Sequence, residues 1–245
     1  MQQNEFDTII WGASLQGIKM AAAHRAGGKK VLLAGRFGFP GGKATESLAT
    51  LYNHNYFNDG GLLQELLSRT ESLPFGILFR NQEMILLHPE AIKRVCWELL
   101  SQYQVDTLFH VTPMEVIPGE TTKLVLFGRE GVIRLQAGLL VDMSDDRFLD
   151  RMQTGSKAVD LVINSFFTDP LPPGLKGFHP IRMLETPIGQ YVSISKKNVP
   201  AHLIEQAFNL ELDQLSGACW KNHRSRIRMV PVYPEIKTDK QTDSR

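Results

Sequence analysis

An alternation of strand, glycine turn, helix and strand near the N-terminus constrains the fold more than any other feature. Residues 6–11 are nearly continuous in apolar character, which is typical of a central strand in a parallel sheet. A glycine turn and an alanine-rich run without a helix breaker follow, Gly27 and Gly28 end that run, and residues 31–34 are apolar again. Two strands joined by a helix in so short a segment predict a βαβ unit, and therefore a parallel sheet.

The whole chain is predicted to be an α/β protein built on a Rossmann-like parallel sheet. We expect this domain over residues 1–150, with a β-meander inserted near residues 105–137. Residues 151–237 are predicted to form a smaller α/β region that completes the sheet, and the polar residues 238–245 a disordered tail. The same patterns predict helices at 61–72, 89–103 and 200–215, and strands at 123–127, 132–137, 139–142, 161–167 and 190–195.

Composition excludes several classes of protein. The 245 residues carry 27 Lys and Arg against 26 Asp and Glu, so there is no global charge to attract nucleic acid or an anionic membrane. The two cysteines, Cys96 and Cys219, form no CxxC pair, and the seven histidines show no metal-ligand spacing, so we expect no disulfide scaffold and no metal. Without a visible signal peptide or a membrane-spanning apolar run, a cytoplasmic location is expected.

The glycine turn has the spacing of a nucleotide-binding motif. In G-x-G-x-x-G the first glycine permits the tight turn, the second allows a pyrophosphate to approach the backbone, and the third allows close packing of helix and strand. Gly12 and Gly17 hold the first and third positions here, but Ser14 occupies the second. The N-terminus of the following helix would still offer free N–H groups to an anion.

The acid that normally follows the second strand is missing. In this fold an Asp or Glu about 20 residues after the motif binds the ribose hydroxyls, and Gly35 followed by Arg36 stands there instead. No acidic residue occurs from Thr8 to Thr45, so the unit is locally cationic. Such a field suits a pyrophosphate or a ribose phosphate. The basic residues of this stretch are Lys19, Arg25, Lys29, Lys30, Arg36 and Lys43.

Together with these motifs, the loop Gly38-Phe39-Pro40-Gly41-Gly42-Lys43-Ala44-Thr45 resembles a known family. It resembles the N-terminal region of FAD-dependent oxidoreductases of the glutathione-reductase-like flavoprotein superfamily, and most closely a bacterial group with a G-x-x-G-G-x-A-T loop. The resemblance continues at residues 88–95 and at residues 139–146, where the family has a hydrophobic strand followed by D-A-T-G-D. It covers roughly residues 6–50 and 85–150.

The resemblance implies FAD/NAD(P)-binding topology for the domain of residues 1–150, with FAD as cofactor, bound across the glycine turn. Arg36 would stand beside the adenosine ribose, and residues near Pro113 would approach adenine through backbone groups. Met143, Ser144 and Asp145 replace Ala, Thr and Gly of the second signature, which puts acids near the path of the FAD phosphates. The implied cofactor-binding residues are Gly12, Ala13, Ser14, Gly17, Gly35, Arg36, Gly41, Gly42, Thr45, Pro113 and Ser144.

The leading functional hypothesis is therefore an FAD-binding oxidoreductase that acts on an unidentified small molecule or with a partner subunit. No residue pattern designates a catalytic acid or base. One alternative is a flavoprotein fold that has lost productive flavin binding and serves as a structural or regulatory partner, because the ribose acid and the late Gly-Asp segment of the family are both missing. A second alternative is NADP binding, in which Arg36 would meet the 2′-phosphate.

Overall fold

The computed structural model describes residues 4–155, 158–169, 180–222 and 227–237, and the predicted tail 238–245 lies outside them. The strands, in chain order, are β1 (Glu5–Trp11), β2 (Val31–Ala34), β3 (Leu51–Asn53), β4 (Ile77–Arg80), β5 (Met84–Leu87), β6 (Asp106–Leu108), β7 (Thr112–Ile117), β8 (Thr122–Gly128), β9 (Gly131–Asp142), β10 (Val159–Phe167), β11 (Pro180–Thr186), β12 (Gly189–Val199), β13 (Ile227–Met229) and β14 (Glu235–Lys237). The helices are α1 (Leu15–Ala26), α2 (Lys43–Glu46), α3 (Leu62–Glu71), α4 (Pro89–Gln102), α5 (Phe148–Thr154) and α6 (Ile204–Asn222), with short 3-10 turns at His54–Phe57 and Ala201–Leu203.

A six-stranded sheet of order β6-β2-β1-β9-β8-β7 carries the N-terminal part of the chain. Its first four strands are parallel, with β1 pairing β2 on one side and β9 on the other. α1 connects β1 to β2, as the βαβ pattern requires. The prediction of an α/β fold with a Rossmann-like parallel sheet is confirmed.

The meander is continuous with this sheet. β7, β8 and β9 are antiparallel neighbours, but β9 does not end where the sequence pattern breaks at Gly138. Its first half pairs with β8 and its second half pairs in parallel with β1, so the two strands predicted at 132–137 and 139–142 are one. Gly138 permits this continuity, because a β-carbon there would lie 3.3 Å from the carbonyl oxygen of Asp7 on β1.

Helices cover one face of the six-stranded sheet and the meander covers part of the other. Ile10 and Leu33 belong to an apolar cluster that includes the buried stripes of α1, α3 and α4. The next residues along the same strands, Ile9 and Trp11 among them, point the opposite way and join the meander and Leu149 of α5 in a second cluster. The sheet is therefore buried on both faces, which explains its nearly continuous apolar sequence.

The C-terminal region forms a second sheet instead of completing the first, and the prediction for residues 151–237 is wrong on this point. β11, β12, β10 and β13 follow one another in an antiparallel sheet, and β14 also pairs with β10. β9 has β1 on one side and β8 on the other, so it offers the following chain no free edge. Leu215 of α6 packs on one face of the new sheet, and the three-stranded sheet β3-β5-β4 packs on the other.

Asn164 of β10 ties this second sheet to the loop after α2. Its amide nitrogen donates to the carbonyl oxygen of Ser47 at 3.0 Å, and its amide oxygen accepts from the hydroxyls of Tyr191 at 2.9 Å and Ser193 at 2.7 Å. All of these side chains are buried, and a buried polar group is stable only when its hydrogen bonds are made. The network therefore fixes the loop that forms one wall of the site described next.

Candidate functional site

A crevice lies where the carboxyl ends of β1, β2 and β9 meet. The chain leaves β1 toward β2 on one side, while β9 lies on the other side, and open α/β sheets bind ligands at such a switch point. The walls come from the ends of these strands, from α2 and from residues 233–236. The enclosed space is about 40 Å³, which holds only a few water molecules.

Most of the residues predicted from sequence to bind a nucleotide meet at this crevice. Gly17, Gly41 and Thr45 lie behind its wall, and Pro113 lies away from it. The predicted residues in the wall are Gly12, Ala13, Ser14, Gly35, Arg36, Gly42 and Ser144.

The three residues behind the wall hold its loops together. A β-carbon on Gly17 would lie 2.2 Å from the carbonyl oxygen of Gly12, so this glycine allows α1 to pack against the turn. The amide of Gly41 donates to the carbonyl oxygen of Ala13 at 2.7 Å, and the Thr45 hydroxyl donates to that of Pro40 at 2.9 Å. The bond from Gly41 to Ala13 joins the loop after β2 to the loop after β1, and the bond from Thr45 to Pro40 fixes the loop after β2 internally.

Pro113 is placed outside the crevice, contrary to the implied adenine contact. It lies in β7, opposite Leu126 of β8. The chain instead approaches β2 with the two residues after β6: a β-carbon on Gly35 would lie 3.2 Å from the Phe109 ring, and one on Gly38 would collide with the His110 ring. His110 has a positive φ, and after Val111, whose amide donates to the carbonyl oxygen of Gly35 at 3.4 Å, the chain continues into β7.

Ser14, which replaces the second glycine, serves as the N-cap of α1. Its hydroxyl oxygen accepts the amide hydrogen of Gly17 at 3.0 Å and donates to the carbonyl oxygen of Met143 at 2.6 Å. One first-turn amide of α1 is therefore already satisfied within the chain. The serine also joins the turn after β1 to the segment after β9.

Asp145 lies in the path that the second signature predicts for the FAD phosphates. Its carboxylate accepts the backbone amide of Lys43 at 2.7 Å, and a β-carbon on Gly42 would lie 2.3 Å from the same carboxylate oxygen. Burial raises the pKa of Asp145 from 3.8 to about 6, although Lys43 opposes the shift. At neutral pH this carboxyl group is mostly ionised, and it would repel a diphosphate.

Arg36 is enclosed by aromatic rings. Its guanidinium carbon lies 4.0 Å from the ring centre of Tyr233, 4.7 Å from that of Phe37 and 5.4 Å from that of Phe148. Cation–π contacts of this length stabilise a partly desolvated arginine. The sequence analysis did not find Tyr233 or Phe148, because no local pattern connects either residue with the end of β2.

Glu46 is a second functional candidate that the sequence analysis missed. It lies in the crevice wall, and burial raises the pKa of its carboxyl group from 4.5 to about 8, with Asp145 and Asp146 adding to the shift and Arg36 opposing it. In the described part of the chain, no group of three or more acidic, histidine or cysteine side chains is arranged to hold a metal ion.

A sequence profile of the FAD dependent oxidoreductase family matches residues 7–149, which is more than half of the chain. The chain belongs to this family. The match confirms the predicted family and FAD as its cofactor, and it covers the strand–turn–helix unit, the Gly41–Thr45 loop and the segment after β9. The closer placement in the glutathione-reductase-like group stays a prediction. No protein with a curated functional description matches this family member significantly.

Solved structures of a monooxygenase, a hydroxylase and a reductase-like protein share the fold. The p-nitrophenol 4-monooxygenase PnpA from Pseudomonas putida superimposes with a TM-score of 0.59 at 13% identity, over 96% of this chain and 68% of that one. The anhydrotetracycline hydroxylase OxyS from Streptomyces rimosus gives 0.59 at 14% identity, over 93% and 51%. A geranylgeranyl bacteriochlorophyll reductase-like protein from Thermoplasma acidophilum gives 0.61 at 8% identity, over 93% and 65%.

These identities establish a shared fold and nothing finer. The family member spans between about half and two-thirds of the length of these structures. Among its described residues, no helix is both long enough and apolar enough to cross a membrane.

The frame of the crevice fits FAD, but its interior does not while residues 233–236 lie there. Gly12 and Gly42 line the crevice at the carboxyl end of the sheet, and Gly17 allows α1 to pack against the turn, as the motif requires. With these residues in place, the free space of about 40 Å³ is too small for a buried dinucleotide, and the Asp145 carboxylate already accepts the Lys43 amide.

Proposed function

We propose that this family member is a flavin-dependent oxidoreductase that acts on an unidentified small molecule or with a partner subunit. The observation that carries the proposal is the βαβ crevice of residues 7–45, because the family profile covers it and its glycines are at the positions that the turn needs. FAD would supply the electron transfer, and the protein would supply binding, orientation and electrostatics. A cytoplasmic location remains part of this proposal.

The chain's own groups support anion binding at the crevice once space is available. The N-terminus of α1 points its dipole toward the loop after β1, and the side chains of Arg36 and Lys43 add two positive charges. Gly12 lies two residues before Ser14 and Gly42 lies against it in space, and neither glycine carries a β-carbon. These observations do not assign the role of catalytic base to any described side chain.

Flavin content tests the proposal directly. We expect protein purified from cells, or incubated with excess FAD and desalted, to be yellow, with an absorption band at about 450 nm. Release of the pigment by denaturation and its separation from FMN would identify it as FAD. Protein that stays colourless after incubation over a range of pH would contradict the proposal.

A second candidate is a non-catalytic structural or regulatory protein on the same fold. It is favoured by the small enclosed space and by the Asp145 carboxylate on the Lys43 amide. Colourless protein that nevertheless folds cooperatively would support this candidate.

NADP binding through Arg36 is the third possibility, and the surroundings of Arg36 disfavour it. Since three aromatic rings enclose the guanidinium, we expect NADPH to bind no better than NADH and Arg36→Ala to change both affinities equally. Parallel calorimetric titrations of wild type and variant would measure this. A preference for NADPH that disappears in Arg36→Ala would instead establish a 2′-phosphate site.

A further inference from the structure

A short segment near the C-terminus, residues 230–236, crosses the mouth of the crevice; we call it the strap. The amides of Val232 and Tyr233 both donate to the carbonyl oxygen of Glu46, at 2.9 and 3.1 Å. Its end, β14, pairs with β10 of the second sheet. The strap therefore joins α2 of the nucleotide-binding domain to the C-terminal region across the site.

Tyr233 fills the part of the crevice that lies beyond the end of β2. Its ring is stacked on the guanidinium of Arg36 at 4.0 Å and lies 5.8 Å from the Phe37 ring, and only 9% of the residue is exposed. In this fold the residue at the end of β2 faces the ribose of the nucleotide. Tyr233 and an adenosine ribose thus compete for one space.

The strap also brings a negative charge into the same space. Glu235 lines the crevice with its carboxylate 3.7 Å from the ammonium group of Lys43. Among the residues that the structure describes, Lys43 and Arg36 are the cations in the crevice wall, and Arg36 is covered by Tyr233. Both positive groups that would attract a diphosphate are therefore engaged by the strap.

Few backbone hydrogen bonds hold the strap on α2, although its end is paired with β10. Pro231 and Pro234 have no amide hydrogen to donate, so the segment between Met229 and β14 is held to α2 mainly by the two bonds to Glu46. Val230 and Val232 are about half exposed, at 49% and 52%. Its buried residues are Pro231, Tyr233, Pro234 and Ile236, and Tyr233 and Ile236 belong to one apolar cluster with residues of the second sheet.

We propose that the strap is a built-in competitor of the adenosine diphosphate moiety of FAD, with Tyr233 as its plug, and that the cofactor enters only when the strap leaves the crevice. The inference rests on the proposed function and adds a regulatory step to it. The apparent affinity for the nucleotide is then the intrinsic affinity multiplied by the fraction of molecules in which the strap is open. Any contact that draws residues 230–236 away would increase FAD loading.

The test compares ADP and FAD binding by wild type, Tyr233→Ala and Val232→Pro, using isothermal titration calorimetry on the full chain. Tyr233→Ala removes the plug, and Val232→Pro removes one bond to Glu46 without changing a buried side chain. We expect both variants to bind ADP at least about tenfold more tightly than wild type. Val230→Ala is the matched control: it alters an exposed strap residue that is not part of the crevice wall, and its affinity should equal that of wild type.

Hydrogen exchange in wild type gives an independent readout. Saturation with ADP should accelerate exchange of the Val232 and Tyr233 amides, because their bonds to Glu46 break when the strap leaves. Equal ADP affinity in wild type and all variants, or unchanged exchange of these amides at saturation, would overturn the strap proposal. If wild type still bound FAD in that case, the proposed function would stand. If no variant bound ADP or FAD, the proposed function and the strap proposal would both fall.

Discussion

Gly12→Ala is expected to lower the free energy of unfolding by about 4 kcal/mol, because the new β-carbon combines backbone strain with a collision against backbone. Gly12 has a φ of +102°, and an ideal β-carbon there would lie 2.2 Å from the amide nitrogen of Ser144. The atoms that the β-carbon would meet belong to the backbone of Met143 and Ser144, which cannot move aside as a flexible side chain could. The substitution must therefore separate the turn after β1 from the segment after β9, which also opens the floor of the crevice.

Gly28→Ala provides a matched control for this prediction. Gly28 also has a positive φ, of +78°, but no atom lies within 4 Å of its ideal β-carbon. We expect it to cost only the strain, about 1 kcal/mol. Equilibrium denaturation with urea measures both variants, and equal losses in the two would show that the contact between Gly12 and Ser144 does not determine the architecture of the crevice.

The stability of wild type is expected to fall as the pH rises from 4.5 to 8, and Glu46→Gln should remove much of this fall. Burial raises the pKa of Glu46 from 4.5 to about 8, so between these values the folded protein holds a proton that the unfolded chain releases. At 1.36 kcal/mol per pH unit, the full shift corresponds to a loss of roughly 5 kcal/mol of folding stability. The loss begins near pH 4.5 and is complete above pH 8. Because Glu46 keeps partial exposure through the crevice, we expect about 2 kcal/mol of it to be measured.

The measurement is a thermal unfolding series at several pH values. Glu46→Gln should match wild type near pH 4.5 and exceed it above pH 8 by about 2 kcal/mol, or about 6 °C in Tm for a protein of this size. Glu83→Gln, which changes an exposed acid outside the crevice, should follow the wild-type curve throughout. A Glu46→Gln curve parallel to wild type from pH 4.5 to 8.5 would show that this carboxyl group ionises freely. Asp145, whose pKa burial raises to about 6, should keep a smaller fall in both proteins below neutral pH.

Local sequence predicted the N-terminal unit well. β2 and the βαβ connection lie where the apolar runs and Gly27-Gly28 place them, and α4 begins at the predicted Pro89. The second sheet was predicted less well, since its strands were recognised but not their partners. The reason is that an apolar run indicates a buried strand, while its neighbour depends on which sheet edge is free when the chain returns.

Substitutions in the family's motifs were informative in a different way. The serine at the second glycine position and the acids after β9 indicated that the phosphate path is altered. In the structure the Ser14 hydroxyl donates to the carbonyl oxygen of Met143, and the Asp145 carboxylate accepts the amide hydrogen of Lys43. Pro113 was predicted from the family's pattern alone and lies elsewhere, because it pairs with Leu126 of β8 in the meander.

The sequence by itself determined the βαβ unit, the family and the cationic character of residues 8–45, because these depend on neighbours within a few tens of residues. Only the tertiary structure decided what occupies the crevice. Tyr233 reaches Arg36 across nearly the whole chain, and it does so because β14 pairs with β10 and the two preceding amides bind Glu46. Such contacts arise from the packing of two sheets whose relative placement no short-range pattern encodes.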